Sequence, residues 1–115
     1  MKILFLNLPN EDTIIRRFCG SYNSRSFLFP PQELLSCASA VRQWNASEVS
    51  VIDSIAEGRD LSSVIGIMDD IKPDMVVTMT GMECFASDIN MIMGIKDRKP
   101  GVKMTVFGYY PSVFR

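Results

Sequence analysis

Four strand-length apolar runs, each separated from the next by a segment with helical spacing, constrain the fold of this chain more than any other feature. Lys2–Leu8 (KILFLNL) is apolar almost throughout, the pattern of a strand buried on both faces. Pro30-Pro31 opens the first helical segment. Pro31 suits the first helical position, Gln32 and Glu33 suit the positive end, and Leu34, Cys37, Ala38, Val41 and Trp44 recur on one face. Val49–Asp53 (VSVID) reads as the second strand, ended by Glu57-Gly58, and Asp60 stands where it can cap the next helix. That helix carries Leu61, Val64, Ile65, Met68 and Ile71 on one face and stops at Lys72-Pro73-Asp74. Met75–Met79 (MVVTM) is the third strand, Ser87–Lys99 the third helix, and Val102–Phe107 (VKMTVF) the fourth strand after the break at Pro100-Gly101. Asn10–Phe29 interrupts the rhythm as a long irregular stretch with Gly20 and four aromatic residues.

A βαβαβαβ order at this spacing predicts an α/β domain with a doubly wound parallel sheet, flavodoxin-like or Rossmann-like. The expected strand order is 2-1-3-4. The wholly apolar first strand belongs in the centre, and alternating Val49–Asp53 suits an edge. The first and third helices, Pro31–Trp44 and Ser87–Lys99, are then expected on opposite faces, or at least not adjacent. Both common topologies usually have a fifth strand, whereas Gly108–Arg115 follows the fourth with no helical pattern. Residues 1–115 therefore read as a single domain truncated before its fifth strand, the N-terminal fragment of a longer chain. Val102–Phe107 would be left as an apolar edge. It is expected to pair with a second copy of the chain, forming a homodimer through the fourth strand, or to be covered by Gly108–Arg115.

Composition narrows the chemistry. Acidic and basic residues nearly cancel, 13 against 12, so no strong field favours nucleic acid or an anionic membrane. The chain contains no histidine, which removes imidazole bases, Ser-His and Cys-His dyads and histidine ligands. Its three cysteines, Cys19, Cys37 and Cys84, are widely spaced and form no CxxC or CxxxCxxC motif, so this chain by itself closes neither a zinc site nor an iron–sulfur cluster. They are expected to be free thiols in a cytoplasmic protein. The short apolar run at Met1–Leu8 lacks a cleavage site, and no apolar run approaches the roughly 20 residues needed to span a bilayer.

In open parallel sheets ligands bind outside the carboxyl ends of the strands, where the strand order reverses. Asn7–Asn10, Asp53–Ser54, Thr78–Glu83 and Gly108–Ser112 should converge there. Thr78 and Thr80 offer hydroxyls, and Gly81 and Gly108 permit close backbone approach; closing βα turns is the competing use of the same residues. Asp53 and Glu83 are the acids expected near this rim, while Cys84, followed by Phe85, reads as a packed thiol. The dinucleotide fingerprint GxGxxG is missing after the first strand, where the sequence is NLPNED, and there is no GxxxxGK[ST] loop. Asn7 and Thr80 occupy positions where a phospho-accepting receiver domain needs acids, which argues against phosphotransfer.

Five segments together carry a family resemblance: KILFLNLPN (Lys2–Asn10), FPPQELLSCASAVRQ (Phe29–Gln43), VSVIDSIAEG (Val49–Gly58), PDMVVTMTG (Pro73–Gly81) and IKDRKPGVKMTVFGYYPS (Ile95–Ser112). In order and spacing they resemble the N-terminal cobalamin-binding domain of cobalamin-dependent radical S-adenosylmethionine enzymes. The wider superfamily carries DxHxxG, then SxL, then GG. Thr78-Met79-Thr80 stands where SxL would be, and Gly108-Tyr109 stands at the spacing of GG. The chain departs from the pattern at Asn7-Leu8-Pro9, which lacks the histidine, and at Tyr109, which replaces the second glycine. The resemblance implies a cobalamin site formed by Asn7, Pro9, Thr78, Thr80, Gly81, Glu83, Gly108 and Tyr109. It also implies a partner domain downstream, the radical S-adenosylmethionine domain of the parent enzyme, a methyltransferase or related oxidoreductase. S-adenosylmethionine and a 4Fe-4S cluster would be held there, with no catalytic residue and no metal ligand in the present chain.

The leading expectation is thus a cobalamin-binding module. One alternative is a non-catalytic interaction or structural domain, with Tyr109 and the aromatic stretch Phe18–Phe29 against a neighbouring domain and the pocket empty or vestigial. Another is a flavodoxin-like binder of flavin or nucleotide.

Overall fold

The computed structural model describes residues 1–10, 14–17, 20–23, 31–44, 48–81 and 84–108. Its elements are β1 (Lys2–Asn7), β2 (Ile14–Arg17), β3 (Gly20–Asn23), α1 (Gln32–Trp44), β4 (Glu48–Asp53), α2 (Ser54–Glu57), α3 (Leu61–Ile71), β5 (Met75–Met79), α4 (Phe85–Arg98) and β6 (Lys103–Phe107).

The main sheet has the order β4-β1-β5-β6 with every pair parallel, which is the expected 2-1-3-4 arrangement. β1 is central, pairing with β4 from Lys2↔Glu48 to Asn7↔Asp53 and with β5 from Ile3↔Met75 to Leu6↔Thr78. Its uninterrupted apolar sequence is explained by the two cores it feeds, because successive strand side chains point to opposite faces. Leu4, Leu6 and Leu8 join Ile52, Val76, Val64, Met68 and Ile95 beneath α3 and α4. Ile3 and Phe5 join Leu34 and Ala38 beneath α1. The first and third long helices therefore cover opposite faces, as predicted. Phe5 is 1% exposed, and truncating a phenylalanine at such a site to alanine costs about 3–5 kcal/mol.

Local chemistry sets the element ends. Asp60 Oδ1 accepts from the Ser63 amide at 2.8 Å and caps α3, and Lys72, in the left-handed region at φ 55°, closes it through its amide to Met68 O. Asp53 Oδ1 accepts from the Ala56 amide at 3.2 Å and starts the single turn of α2, which left-handed Gly58 (φ 64°) ends. α4 begins at Phe85, two residues earlier than the apolar spacing suggested. Where α3 crosses α4, a Cβ on Gly94 would lie 2.9 Å from Leu61 Cδ2, so the glycine lets the two helices approach.

Sequence and structure part company at 10–29. The structure places an antiparallel pair there, β2 with β3, from Ile14↔Asn23 to Arg17↔Gly20. Two four-residue strands, one opening on glycine and ending on asparagine, leave too short and too polar a pattern to read as a hairpin. Residues 109–115, expected to cover β6, lie outside the described residues. Among the described residues no helix is long and apolar enough to cross a membrane.

Candidate functional site

The strand order reverses between β1 and β5, so the residues leaving their carboxyl ends, 8–10 and 80–81, flank the crevice where ligands of such sheets bind. The rim is tied together by side chains. Asn7 and Asp53 end adjacent strands in register, and Asn7 Nδ2 donates to Asp53 Oδ1 at 2.8 Å. Asn10 Nδ2 donates to Ser87 Oγ at 3.2 Å, and that hydroxyl donates in turn to Cys84 O at 3.1 Å. The segment after β1 is thereby joined to the first turn of α4, across the switch point.

On the β5–β6 side the rim is closed by the protein itself. Thr80 Oγ1 donates to Asp88 Oδ2 at 2.7 Å, and Cys84 Sγ donates to the same oxygen at 3.1 Å. Thr80 and Asp88 are each 0% exposed and Cys84 is 3% exposed, so Cys84 is a packed thiol, as its sequence context suggests. A threonine hydroxyl has one hydrogen to give, and here Asp88 receives it. The Thr80 amide donates to Phe107 O at 3.1 Å, carrying the β5–β6 pairing one residue past the strand. Gly108 follows at φ 142°, and a Cβ there would stand 2.2 Å from Thr80 O. Its bare backbone is required by contact with the neighbouring segment.

Of the residues expected to form the site, the structure places Asn7, Pro9, Thr78, Thr80, Gly81 and Gly108 at this rim, all of them buried. Glu83 and Tyr109 lie outside the described residues. Thr80 is oriented by Asp88, and Gly108 is packed on Thr80. Thr78 differs: it is 0% exposed, and its hydroxyl has no hydrogen-bond partner among the described residues. Ser54, 1% exposed, is in the same condition. Buried hydroxyls are nearly always satisfied, so each exception calls for a physical explanation.

The open space lies on the other half of the rim. A cleft of about 560 Å³ runs between Pro9 and Asn10 after β1, Ser54 and Ile55 after β4, the first residues of α3, and Met91 on α4. Its polar lining includes Arg59, whose Nε pairs with Glu57 and whose Nη1 donates to Ser63 Oγ at 2.9 Å. Among the described residues no group of three acidic, cysteine or histidine side chains is arranged to hold a metal ion.

Asp88 escaped the sequence reading, whereas Ser54 was placed at the rim with Asp53 but given no role there. Asp88 had a usable signal: with Met91, Ile92 and Ile95 it falls at i, i+3, i+4 and i+7, a carboxylate inside the apolar stripe of its helix. The signal for Ser54 was its position after a strand, and nothing in the sequence set its hydroxyl apart, because a serine after a strand-ending aspartate is ordinary turn chemistry. Comparison with protein-family models, with curated proteins and with solved structures finds no match to this chain.

Proposed function

We propose that this chain is a cofactor-binding module that holds its ligand at the carboxyl-end rim of the parallel sheet, with cobalamin as the leading candidate. One observation carries the reading. At the rim of a sheet whose strand order reverses between β1 and β5, the buried Thr78 hydroxyl has no partner among the described residues. Polar groups left unsatisfied by the protein at the usual ligand end of such a fold are what a bound molecule or ordered water would satisfy. The identity of the cofactor comes from the sequence resemblance, which also supplies the downstream radical domain, with its S-adenosylmethionine and 4Fe-4S cluster, as the partner.

The rim residues fit a corrinoid in part. Pro9 and Gly81 bring little side-chain bulk to the rim where a flat macrocycle would rest, Asn7 is held there by Asp53, and Thr78 retains a hydroxyl for a polar group of the tail. Thr80 would shape the surface without donating to the ligand, because its hydrogen goes to Asp88. Gly108 leaves no space for a tail at that point, since Thr80 O already occupies it. When bound, the cofactor would supply its cobalt as a methyl carrier. With no histidine in the chain, its lower face would be free of protein imidazole.

Absorbance titration of the chain with hydroxocobalamin tests this reading, with flavin mononucleotide as the control. Saturable binding with a base-off spectrum supports it. Saturable flavin binding without cobalamin binding would replace it with the flavodoxin-like alternative. No binding of either favours the interaction-domain reading, which draws its support from Gly108 and Thr80 being engaged in packing.

A further inference from the structure

The cleft beside β4 has a chemistry of its own, and we infer that it is a binding site for a neutral ribonucleoside. The inference does not rest on the corrinoid reading. At about 560 Å³ the cleft falls within the range of about 300–1,000 Å³ usual for small-molecule sites. Its lining divides into two kinds of surface. Pro9, Ile55, Leu61 and Met91 are apolar, and a methionine thioether is a favourable neighbour for an aromatic ring. Ser54, Asp60 and Ser62 are hydrogen-bonding groups suited to the hydroxyls of a sugar.

Ser54 is what makes this more than a helix terminus with space around it. It lines the cleft and is 1% exposed, and its hydroxyl has no partner among the described residues. Serine repositions that oxygen by a single torsion. The position is also apt: Ser54 directly follows Asp53, the last residue of the strand next to β1. In dinucleotide-binding sheets an acidic side chain receives a ribose hydroxyl; here Asp53 lies outside the lining and its Oδ1 already accepts from Asn7 Nδ2 and the Ala56 amide, so the acid of the cleft that can receive one is Asp60.

Electrostatics argue against a phosphate as the anchoring group. The two positive features of the cleft are each already matched with a carboxylate. Arg59 is paired with Glu57, and the amino end of α3 is capped by Asp60 through the Ser63 amide. A dianion entering the cleft would face Asp60. The loop after β1 also lacks the glycines that cradle a diphosphate. A sugar hydroxyl that donates to Asp60, joined to a base lying on Met91 and Ile55, meets no such conflict.

The test is calorimetric titration of the full 115-residue chain with adenosine, uridine, ribose and inorganic phosphate, alongside Ser54→Ala and Asp60→Asn variants. Asparagine caps a helix as well as aspartate does, so Asp60→Asn should keep the fold while removing the carboxylate acceptor. The expected result is saturable binding of at least one nucleoside and no detectable binding of phosphate. Each variant should bind that nucleoside at least tenfold more weakly, and the unliganded melting temperature of Ser54→Ala should be unchanged or raised. Three results would overturn the inference: a folded chain that binds neither nucleoside, phosphate bound as tightly as the nucleoside, or a Ser54→Ala variant that melts lower on its own. The last would mean that the hydroxyl already has a structural partner.

Discussion

The two halves of the rim are built from similar residue types and put to opposite uses. On the β5–β6 side, threonine, glycine, cysteine and a buried aspartate satisfy one another. Thr80 and Cys84 donate to Asp88, and Gly108 packs its backbone on Thr80 O. On the β1–β4 side, serine, glycine and aspartate border an open cleft, and the Ser54 hydroxyl is left without a partner among the described residues. Hydroxyls and glycines at the carboxyl end of a parallel sheet therefore do not by themselves mark a ligand site. What separates the halves is whether the protein has already occupied the space beside those residues: Thr78 on β5 is also without a partner among the described residues, but no residue of β5 lines the cleft.

Substitutions on the closed half should be felt first as lost stability. The largest effect is expected for Gly108→Val. A β-branched residue at φ 142°, with its Cβ aimed at a carbonyl 2.2 Å away, combines backbone strain with overpacking. Together these are worth about 3 kcal/mol or more, a large share of the stability of a domain this size. Urea unfolding of the variant reads this directly. A wild-type midpoint would mean that the rim is looser than the contact implies. It follows that loss of cofactor binding in Gly108→Val would report damage to the rim, so this variant cannot serve as a test of the cofactor.

Asp88→Ala comes next. It leaves the Thr80 hydroxyl and the Cys84 thiol buried without their shared acceptor, and it should lower unfolding free energy by about 2–3 kcal/mol. Asp88→Asn, which keeps one carbonyl oxygen, should lose roughly half as much. Equal losses in the two variants would mean that the charge, and not the acceptor geometry, holds the cluster.

The comparison can also be sharpened by removing a hydroxyl that no described residue satisfies. Thr78→Val keeps the shape of the side chain and deletes an unpartnered buried oxygen, so it should raise stability by about 1 kcal/mol. A loss of stability would show that Thr78 is held by a bound water and is as structural as Thr80. The smallest effect is expected for Gly94→Ala. Helix propensity gains about 0.5–1 kcal/mol, and the displaced end of Leu61 takes much of it back. Melting should therefore move little. Because Leu61 also lines the cleft, binding there should change severalfold while stability does not.

Much of this organisation is legible in the sequence because it rests on local periodicity. The unbroken apolar run of Lys2–Leu8 specifies a central strand, and the stripe of Leu61, Val64 and Met68 specifies the helix beneath it. The caps at Asp60 and Gly58 follow from side-chain and backbone chemistry within a few residues. Contacts between distant segments are not legible in that way. Nothing local to Gly108 announces that its missing side chain accommodates Thr80 O, and nothing local to Thr80 announces that its hydrogen goes to Asp88 on the next helix. Residues such as Thr80 and Gly108 look the same in sequence whether they face a ligand or a neighbouring strand. The β2–β3 pair was hidden for a different reason: its strands are too short for alternation to stand out.

Amide chemical-shift mapping of the labelled chain, titrated separately with adenosine and with hydroxocobalamin, tests the division of the rim most directly. The account predicts that shifts induced by adenosine cluster in residues 8–10 and 54–62. Those induced by cobalamin should extend to 80–81, and with both ligands residues 98–102 at the opposite end of the sheet should be silent. Shifts centred on 98–102 with either ligand, or adenosine shifts confined to 80–88 and 107–108, would contradict it.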